Sequence, residues 1–110
     1  MTAETLGFIG RAEFAAMREG AVFINTARGS MVDYDALTEA MKSGHLRGAA
    51  LETFAVEPAP ASLELLRLDN VTLTPHIAGA SLKTIERAAQ AAAEEVRRYL
   101  AGEAPLNPCG

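Results

Sequence analysis

Apolar residues in this chain fall into short runs separated by longer stretches with helical spacing. Three runs are too short for helices and are bounded by Gly, Pro or Asn, which is typical of buried strands. They cover residues 21–24, residues 49–51 continued by Thr53 and Phe54, and residues 71–73. The pattern therefore predicts three strands.

Helical patterns lie before and between these strands. An opening helix over residues 11–18 is closed by Gly20, and Asp33 is placed to cap a second helix that Gly44 ends. A shorter helix is predicted over residues 61–68. The apolar positions of the first two helices are Phe14, Met17, Leu37, Ala40 and Met41.

The longest predicted helix follows His76 and ends at Gly102. Its apolar residues recur at intervals of three and four, which places them on one helical face; they are Leu82, Ile85, Ala89, Ala92, Val96 and Leu100. One helix followed by three strand–helix pairs favours an α/β fold with a parallel sheet covered on both faces.

Composition narrows the class of protein. The chain has 110 residues, of which 49% are hydrophobic, so it is long enough for one small unit with a core. A net charge of −4 with only 10 basic residues argues against a nucleic-acid partner. The single cysteine, Cys109, cannot form an internal disulfide and suits a reducing compartment. With no metal-ligand cluster and no membrane-length apolar stretch, we expect a soluble, cytoplasmic protein without structural zinc.

Candidate chemistry follows each predicted strand. Arg28, Glu57 and His76 come after the first, second and third apolar runs respectively. Parallel strands end at one edge of a sheet, and ligands bind in the crevice beyond that edge. Taken singly, Arg28 is typical of a surface turn, Glu57 of a solvated loop, and His76 of a helix start that caps a backbone group. Their joint placement predicts that the three side chains converge.

Three longer motifs contain these residues. They are AVFINTARGSMVD at 21–33, GAALETFAVEP at 48–58 and NVTLTPHIAGAS at 70–81. In this order they resemble the D-isomer-specific 2-hydroxyacid dehydrogenase family, which includes phosphoglycerate dehydrogenase. The resemblance runs from about Thr2 to Asn107 and implies a partial Rossmann-like parallel sheet of about three strands with flanking helices.

The resemblance also implies a role for each candidate residue. The arginine matching Arg28 binds the substrate carboxylate, for which a planar guanidinium fork is suited and lysine is a poor substitute. The histidine matching His76 is the general acid and base, and the glutamate matching Glu57 fixes its tautomer and favours its protonated form. The implied catalytic residues are therefore Arg28, Glu57 and His76.

The implied cofactor is NAD, whose nicotinamide supplies the hydride chemistry. Glu52 stands where the common family motif has an aspartate that contacts the nicotinamide amide, so its carboxylate reaches further by one methylene. No metal is implied. The implied cofactor-binding residues are Thr26, Ala27, Arg28, Glu52, His76 and Gly79.

Other features of the family are missing from this sequence. It contains no G-x-G-x-x-G turn to receive the pyrophosphate at a helix N-terminus. We therefore expect residues 1–110 to be the C-terminal portion of a dinucleotide-binding domain, without the Gly-rich half and the substrate domain. A sheet divided in this way exposes a strand edge and apolar faces, which predicts a homo-oligomer or marginal stability.

Three functions agree with these features. The first is an oxidoreductase acting on the CH–OH group of a D-2-hydroxy acid, or on the 2-keto acid in reverse, with NAD as hydride acceptor. The second is an NAD(H)-sensing binding protein of the corepressor type, because relatives of the family use the same fold in transcriptional complexes. The third is a catalytically inactive, truncated half-domain. The 2-hydroxy acid and the choice between NAD and NADP stay open.

Overall fold

A sheet of three parallel strands is the centre of the computed structural model, which describes residues 2–108. The strands are β1 (Ala21–Asn25), β2 (Leu46–Leu51) and β3 (Val71–Leu73), in the order β1-β2-β3. The predicted α/β class with a parallel sheet is confirmed. The chain divides into two compact units between His76 and Ile77, and the sheet belongs to the first.

The register brings the carboxyl ends of all three strands level. Asn25 pairs with Leu51, and Leu51 pairs with Leu73. Two further hydrogen bonds extend the ladder past the strand ends, from the Glu52 amide to the Asn25 carbonyl at 3.1 Å and from the Thr74 amide to the Leu51 carbonyl at 3.0 Å. The three segments that leave the sheet therefore start from one edge.

The second strand differs from its prediction at both ends. It begins at Leu46, three residues before the predicted start, and ends before Thr53 and Phe54. The exposed Arg47 and the small Gly48 interrupt the apolar run and hide the fully buried Leu46. Thr53 is buried in a loop, where it is only 1% exposed, and this burial accounts for its apolar neighbours. The prediction that the strand continues to Thr53 and Phe54 was therefore wrong.

Two helices cover one face of the sheet. α1 (Arg11–Ala16) supplies Phe14, whose ring meets Phe23 edge-on at 5.2 Å, and α2 (Tyr34–Lys42) packs on β2. The predicted cap of α2 is confirmed, because the Asp33 carboxylate accepts hydrogen bonds from two amides of the first turn. The buried apolar core of this unit consists of Phe14, Val32, Ala36, Leu37, Met41, Leu46, Ala49, Leu51 and Leu65.

Two helix predictions in this unit were wrong in extent. The opening helix stops at Ala16 because Met17 is already extended, with ψ of 148°. The segment predicted as a helix over 61–68 forms only a 3-10 turn, Glu64–Arg67. Leu63 and Leu68 on either side are extended, since the chain emerges from two prolines and must re-enter the sheet at β3.

The second unit contains the long predicted helix, α3 (Leu82–Leu100), which ends before Gly102 as expected. Ser81 caps it by accepting a hydrogen bond from the Thr84 amide. No residue of α3 is buried, although its apolar residues share one helical face as predicted. Within residues 2–108, no helix combines the length and apolar character needed to cross a bilayer.

Within the described part of the first unit, α1 and α2 cover one face of the sheet, whereas the sequence pattern favours cover on both faces. Val22 and Ile24 lie on the face opposite α1 and α2, and they are 47% and 66% exposed. β1 is also an edge strand of this sheet. The prediction concerning Cys109 falls outside the described residues.

Candidate active site

Side chains of the three strand exits meet around one cavity at the carboxyl edge of the sheet. The cavity has a volume of about 290 Å³. All three residues predicted to be catalytic contribute to its wall. The lining residues are Arg28, Gly29, Ser30, Thr53, Phe54, Ala55, Glu57 and His76.

His76 and Glu57 form a directed pair. His76 Nδ1 lies 3.1 Å from Glu57 Oε2, and the two side chains are 44% and 40% exposed. A carboxylate accepts, so Nδ1 carries the proton in this contact and the neutral imidazole keeps its lone pair on Nε2. The arrangement leaves Nε2 as the ring nitrogen available to exchange a proton with a bound molecule.

The second oxygen of Glu57 is held by the backbone. The Phe54 amide donates to Glu57 Oε1 at 2.9 Å. This hydrogen bond, followed by the one from His76 and the charges of His76 and Arg28, lowers the pKa of the Glu57 carboxyl from its ordinary value of 4.5. Glu57 therefore stays a carboxylate over the whole range in which an imidazole titrates.

The lowered pKa of Glu57 gives a testable pH dependence. The titration midpoint of its carboxyl carbon, followed by NMR, is expected below 4.5 in the folded chain and higher in urea. The stabilising contribution of a carboxyl with a lowered pKa is present above the unfolded value and is lost as the pH falls through the folded value. The difference in unfolding free energy between the native chain and Glu57→Gln should therefore shrink below pH 4.5. A difference that grows on acidification would contradict this assignment.

Arg28 is placed by a turn that Asn25 organises. Asn25 Oδ1 accepts from the Ala27 amide at 3.0 Å, and Asn25 Nδ2 donates to the Arg28 carbonyl at 3.1 Å. Asn25 is 7% exposed, so both polar groups are satisfied inside the protein. Arg28 Nη1 donates to the Ala27 carbonyl at 2.8 Å. The remaining guanidinium donors include a pair that suits a carboxylate.

Gly29 allows two exit segments to touch. A Cβ atom at this position would overlap the Phe54 carbonyl carbon, the Phe54 Cα and the Ala55 nitrogen, all of which are backbone atoms. Glycine is thus required for close approach. The turn that carries Arg28 and the loop that leads to Glu57 are packed backbone to backbone.

The residues predicted to contact the cofactor divide between the two units. Thr26 and Glu52 line a second, smaller cavity of about 190 Å³ at the same sheet edge, and Ala27 lies in the Asn25 turn. Glu52 is buried, with 7% exposure. Gly79 belongs to the second unit. The other residues lining the second cavity are Ile24, Ala50, Leu51, Thr72 and Thr74.

The lining of this second cavity is compatible with a flat ring that carries a carboxamide, such as nicotinamide. It is lined by apolar or short side chains, which a flat ring can approach, and by the buried carboxylate of Glu52. A carboxylate is a suitable acceptor for the two N–H donors of a carboxamide. Within the described part of the chain, no group of three or more His, Cys, Asp or Glu side chains is placed to hold a metal ion.

Sequence reasoning missed three residues that build the site. Asn25 and Gly29 lie on either side of Arg28, and Tyr34 begins α2. Asn25 organises the turn that carries Arg28, whereas Gly29 and Tyr34 contact the loop after β2. A polar Asn closing an apolar run is a recognisable turn signal. No local signal marks Gly29 or Tyr34, because their partners are about twenty or more residues away.

A family model matches the whole of the first unit. Residues 1–78 match the family "D-isomer specific 2-hydroxyacid dehydrogenase, NAD binding domain". The chain belongs to this family.

Curated relatives extend the similarity over nearly the whole chain. Glyoxylate reductase of Korarchaeum cryptofilum is 42% identical over 97% of this chain and 32% of its own length. D-3-phosphoglycerate dehydrogenase of Mycobacterium leprae is 42% identical over 93% of this chain and 19% of its own length. The chain thus spans a third or less of these two relatives.

A solved structure has the same fold. The D-isomer specific 2-hydroxyacid dehydrogenase from Xanthobacter autotrophicus Py2, crystallised in complex with NADPH and MES, superposes with a TM-score of 0.89 and is 42% identical. The match covers 100% of this chain and 45% of that chain. The three-stranded parallel sheet with flanking helices is therefore a Rossmann-like NAD-binding fold.

Proposed function

We propose that this chain supplies the catalytic and nicotinamide-binding side of a dehydrogenase that oxidises the CH–OH group of a D-2-hydroxy acid and reduces the 2-keto acid in reverse. The single observation that carries the proposal is the cavity shared by Arg28, Glu57 and His76. The cavity combines a guanidinium, which can bind the substrate carboxylate, with an imidazole–carboxylate pair, which can exchange the proton of the substrate hydroxyl. These are the two demands that a 2-hydroxy acid makes on a protein.

In the proposed reaction, His76 Nε2 takes the hydroxyl proton of the substrate as the C2 hydrogen leaves with its electron pair. In the reverse direction the protonated ring returns the proton to the carbonyl oxygen. Glu57 stays ionised, which stabilises the imidazolium that forms and holds Nδ1 as the donor. Arg28 binds the substrate carboxylate and thereby orients C2 toward the cofactor.

The cofactor side of the proposal rests on the second cavity. NAD, when bound, accepts or donates the hydride. Thr26, Ala27 and Glu52 hold its nicotinamide half in this proposal, and the family resemblance also assigns Gly79 to cofactor binding. Specificity for NAD over NADP is set at the adenosine ribose, so the preference for NAD rests on the family description alone.

The proposal extends to the domain organisation, assembly and location of the protein. We assign residues 1–110 to the C-terminal portion of the dinucleotide-binding domain, with the Gly-rich half and the substrate domain elsewhere; the coverage of relatives supports this. The exposed Val22 and Ile24 of the edge strand β1 support assembly into a homo-oligomer. A cytoplasmic location agrees with a single cysteine in 110 residues.

A chimera tests the proposed function. Residues 2–107 of this chain would replace the matching segment of the Korarchaeum glyoxylate reductase, whose own remainder supplies the other parts of the enzyme. We expect the chimera to oxidise NADH when glyoxylate is added. NADH binding, measured by fluorescence, serves as the check of folding. A chimera that binds NADH without turnover would contradict the proposal and favour a nucleotide-sensing protein of the corepressor type.

Arg28→Lys in the chimera tests whether Arg28 binds the substrate carboxylate. Lysine keeps the charge but loses the planar fork, so one of two charge-assisted hydrogen bonds is lost. We expect kcat/KM for glyoxylate to fall about 10- to 150-fold, since such a bond contributes about 1.5–3 kcal/mol. Arg47→Lys, at an exposed arginine of β2, is the matched control. If the two substitutions lowered kcat/KM equally, the assignment of Arg28 to the substrate site would be wrong.

A further inference from the structure

Tyr34 makes contacts that the proposed chemistry does not use. It is the first residue of α2, and its hydroxyl reaches the loop after β2. The hydroxyl accepts from the Ala55 amide at 3.1 Å and donates to the Thr53 carbonyl at 3.4 Å. One side chain thus holds the backbone on both sides of Phe54.

The residue between these two contacts is the one that holds Glu57. The Phe54 amide donates to Glu57 Oε1, and Glu57 Oε2 faces His76 Nδ1. A continuous series of hydrogen-bonded groups therefore runs from the Tyr34 hydroxyl through the peptide segment to the imidazole. The Phe54 ring adds a packing contact, with its centroid 6.4 Å from that of Tyr34.

We propose that Tyr34 is a positioning residue for the Glu57–His76 pair and that it acts through the peptide segment from Thr53 to Ala55. The inference rests on the proposed function for its catalytic meaning. The Tyr34 hydroxyl holds the backbone of Thr53 and Ala55, and so fixes the orientation of the Phe54 amide that holds the Glu57 carboxylate.

The surroundings of Tyr34 suit this role. Burial raises the pKa of its hydroxyl, which keeps the donor proton in place at neutral pH. α2 itself does not need the hydroxyl, because Asp33 caps the helix and Leu37 anchors it in the core with 0% exposure. Tyr34→Phe should therefore remove the two hydrogen bonds of the Tyr34 hydroxyl from a protein that still folds.

NMR of the 110-residue chain tests the proposal. In Tyr34→Phe we expect the Phe54 and Ala55 amides to exchange with solvent about 2- to 10-fold faster, the range for loss of one neutral hydrogen bond. The midpoint of the Glu57 carboxyl should rise toward 4.5, since its strongest stabilising donor becomes less fixed. A merely structural role would instead accelerate amides throughout the sheet and leave the Glu57 midpoint in place.

Tyr99→Phe is the matched control, because Tyr99 is the other tyrosine of the chain and is 83% exposed. It should change neither readout. Unchanged Phe54 exchange and an unchanged Glu57 midpoint in folded Tyr34→Phe would overturn the proposal. In the active chimera, Tyr34→Phe should lower kcat more than it raises KM and move the acid limb of the pH profile upward. The NMR measurements need no turnover. An inactive chimera would therefore count against the proposed function, while the NMR measurements would still decide the role of Tyr34.

Discussion

Gly29→Ala is expected to destabilise the first unit by about 1–3 kcal/mol or more, the usual cost of forcing extra volume into a packed site. The added Cβ meets only backbone atoms of Phe54 and Ala55, so no flexible side chain can move aside. One of the two exit segments must shift. Because these segments carry Arg28 and Glu57, we expect the chimera to lose most of its activity together with stability.

Urea unfolding of the native chain and of Gly29→Ala measures this effect. Gly10→Ala is the matched control, since a Cβ there would lie 3.6 Å from Glu13 Oε2 and 3.7 Å from the Gly7 carbonyl, which is ordinary contact. We expect the control to cost about 1 kcal/mol at most, as for the exchange of one helix-capping residue. Equal losses in the two variants would mean that the exit segments are not packed as described.

His76→Asn is expected to reduce kcat of the chimera by about 10²–10⁴-fold, the usual contribution of a positioned general acid and base. Asparagine preserves a polar side chain of similar reach at Nδ1 but cannot exchange a proton near neutral pH. Glyoxylate reduction at saturating substrate gives the value directly. NADH affinity should fall far less than kcat, which separates loss of the proton transfer from loss of the binding site.

Two further variants complete this experiment. His45→Asn changes the other histidine of the chain, whose Nε2 lies 3.0 Å from the Phe14 carbonyl, away from the strand exits, and activity should persist. Glu57→Gln should reduce kcat less than His76→Asn, because the imidazole remains but its imidazolium form is no longer stabilised. If His45→Asn and His76→Asn lowered kcat equally, the catalytic assignment of His76 would be wrong.

Much of the architecture followed from short-range patterns in the sequence. Runs such as residues 21–24 are too short and too apolar for a helix, and three of them separated by helical spacing leave a parallel sheet as the natural arrangement. From that sheet alone, Arg28, Glu57 and His76 were expected at one edge, and the structure places them around one cavity. Their catalytic roles stay predictions that the variants above test.

The errors have a common physical cause. Residues 61–68 have helical apolar spacing, yet neighbouring prolines and the re-entry into β3 allow only a short 3-10 turn. Thr53 and Phe54 look like a strand, but they belong to the loop that Tyr34 and Gly29 hold. In each case contacts between distant parts of the chain decide a conformation for which local preference points elsewhere.

The level strand ends described above also restrict how such a site can change over generations. Since side chains alternate between faces, a slip of β2 by one residue would turn its whole inward set outward and carry Glu57 away from His76. The register therefore has one workable setting. New substrate preferences can arise through changes in the side chains and loops beyond the sheet edge. The strand pairing beneath them, which includes Asn25 and Leu51, must stay unchanged.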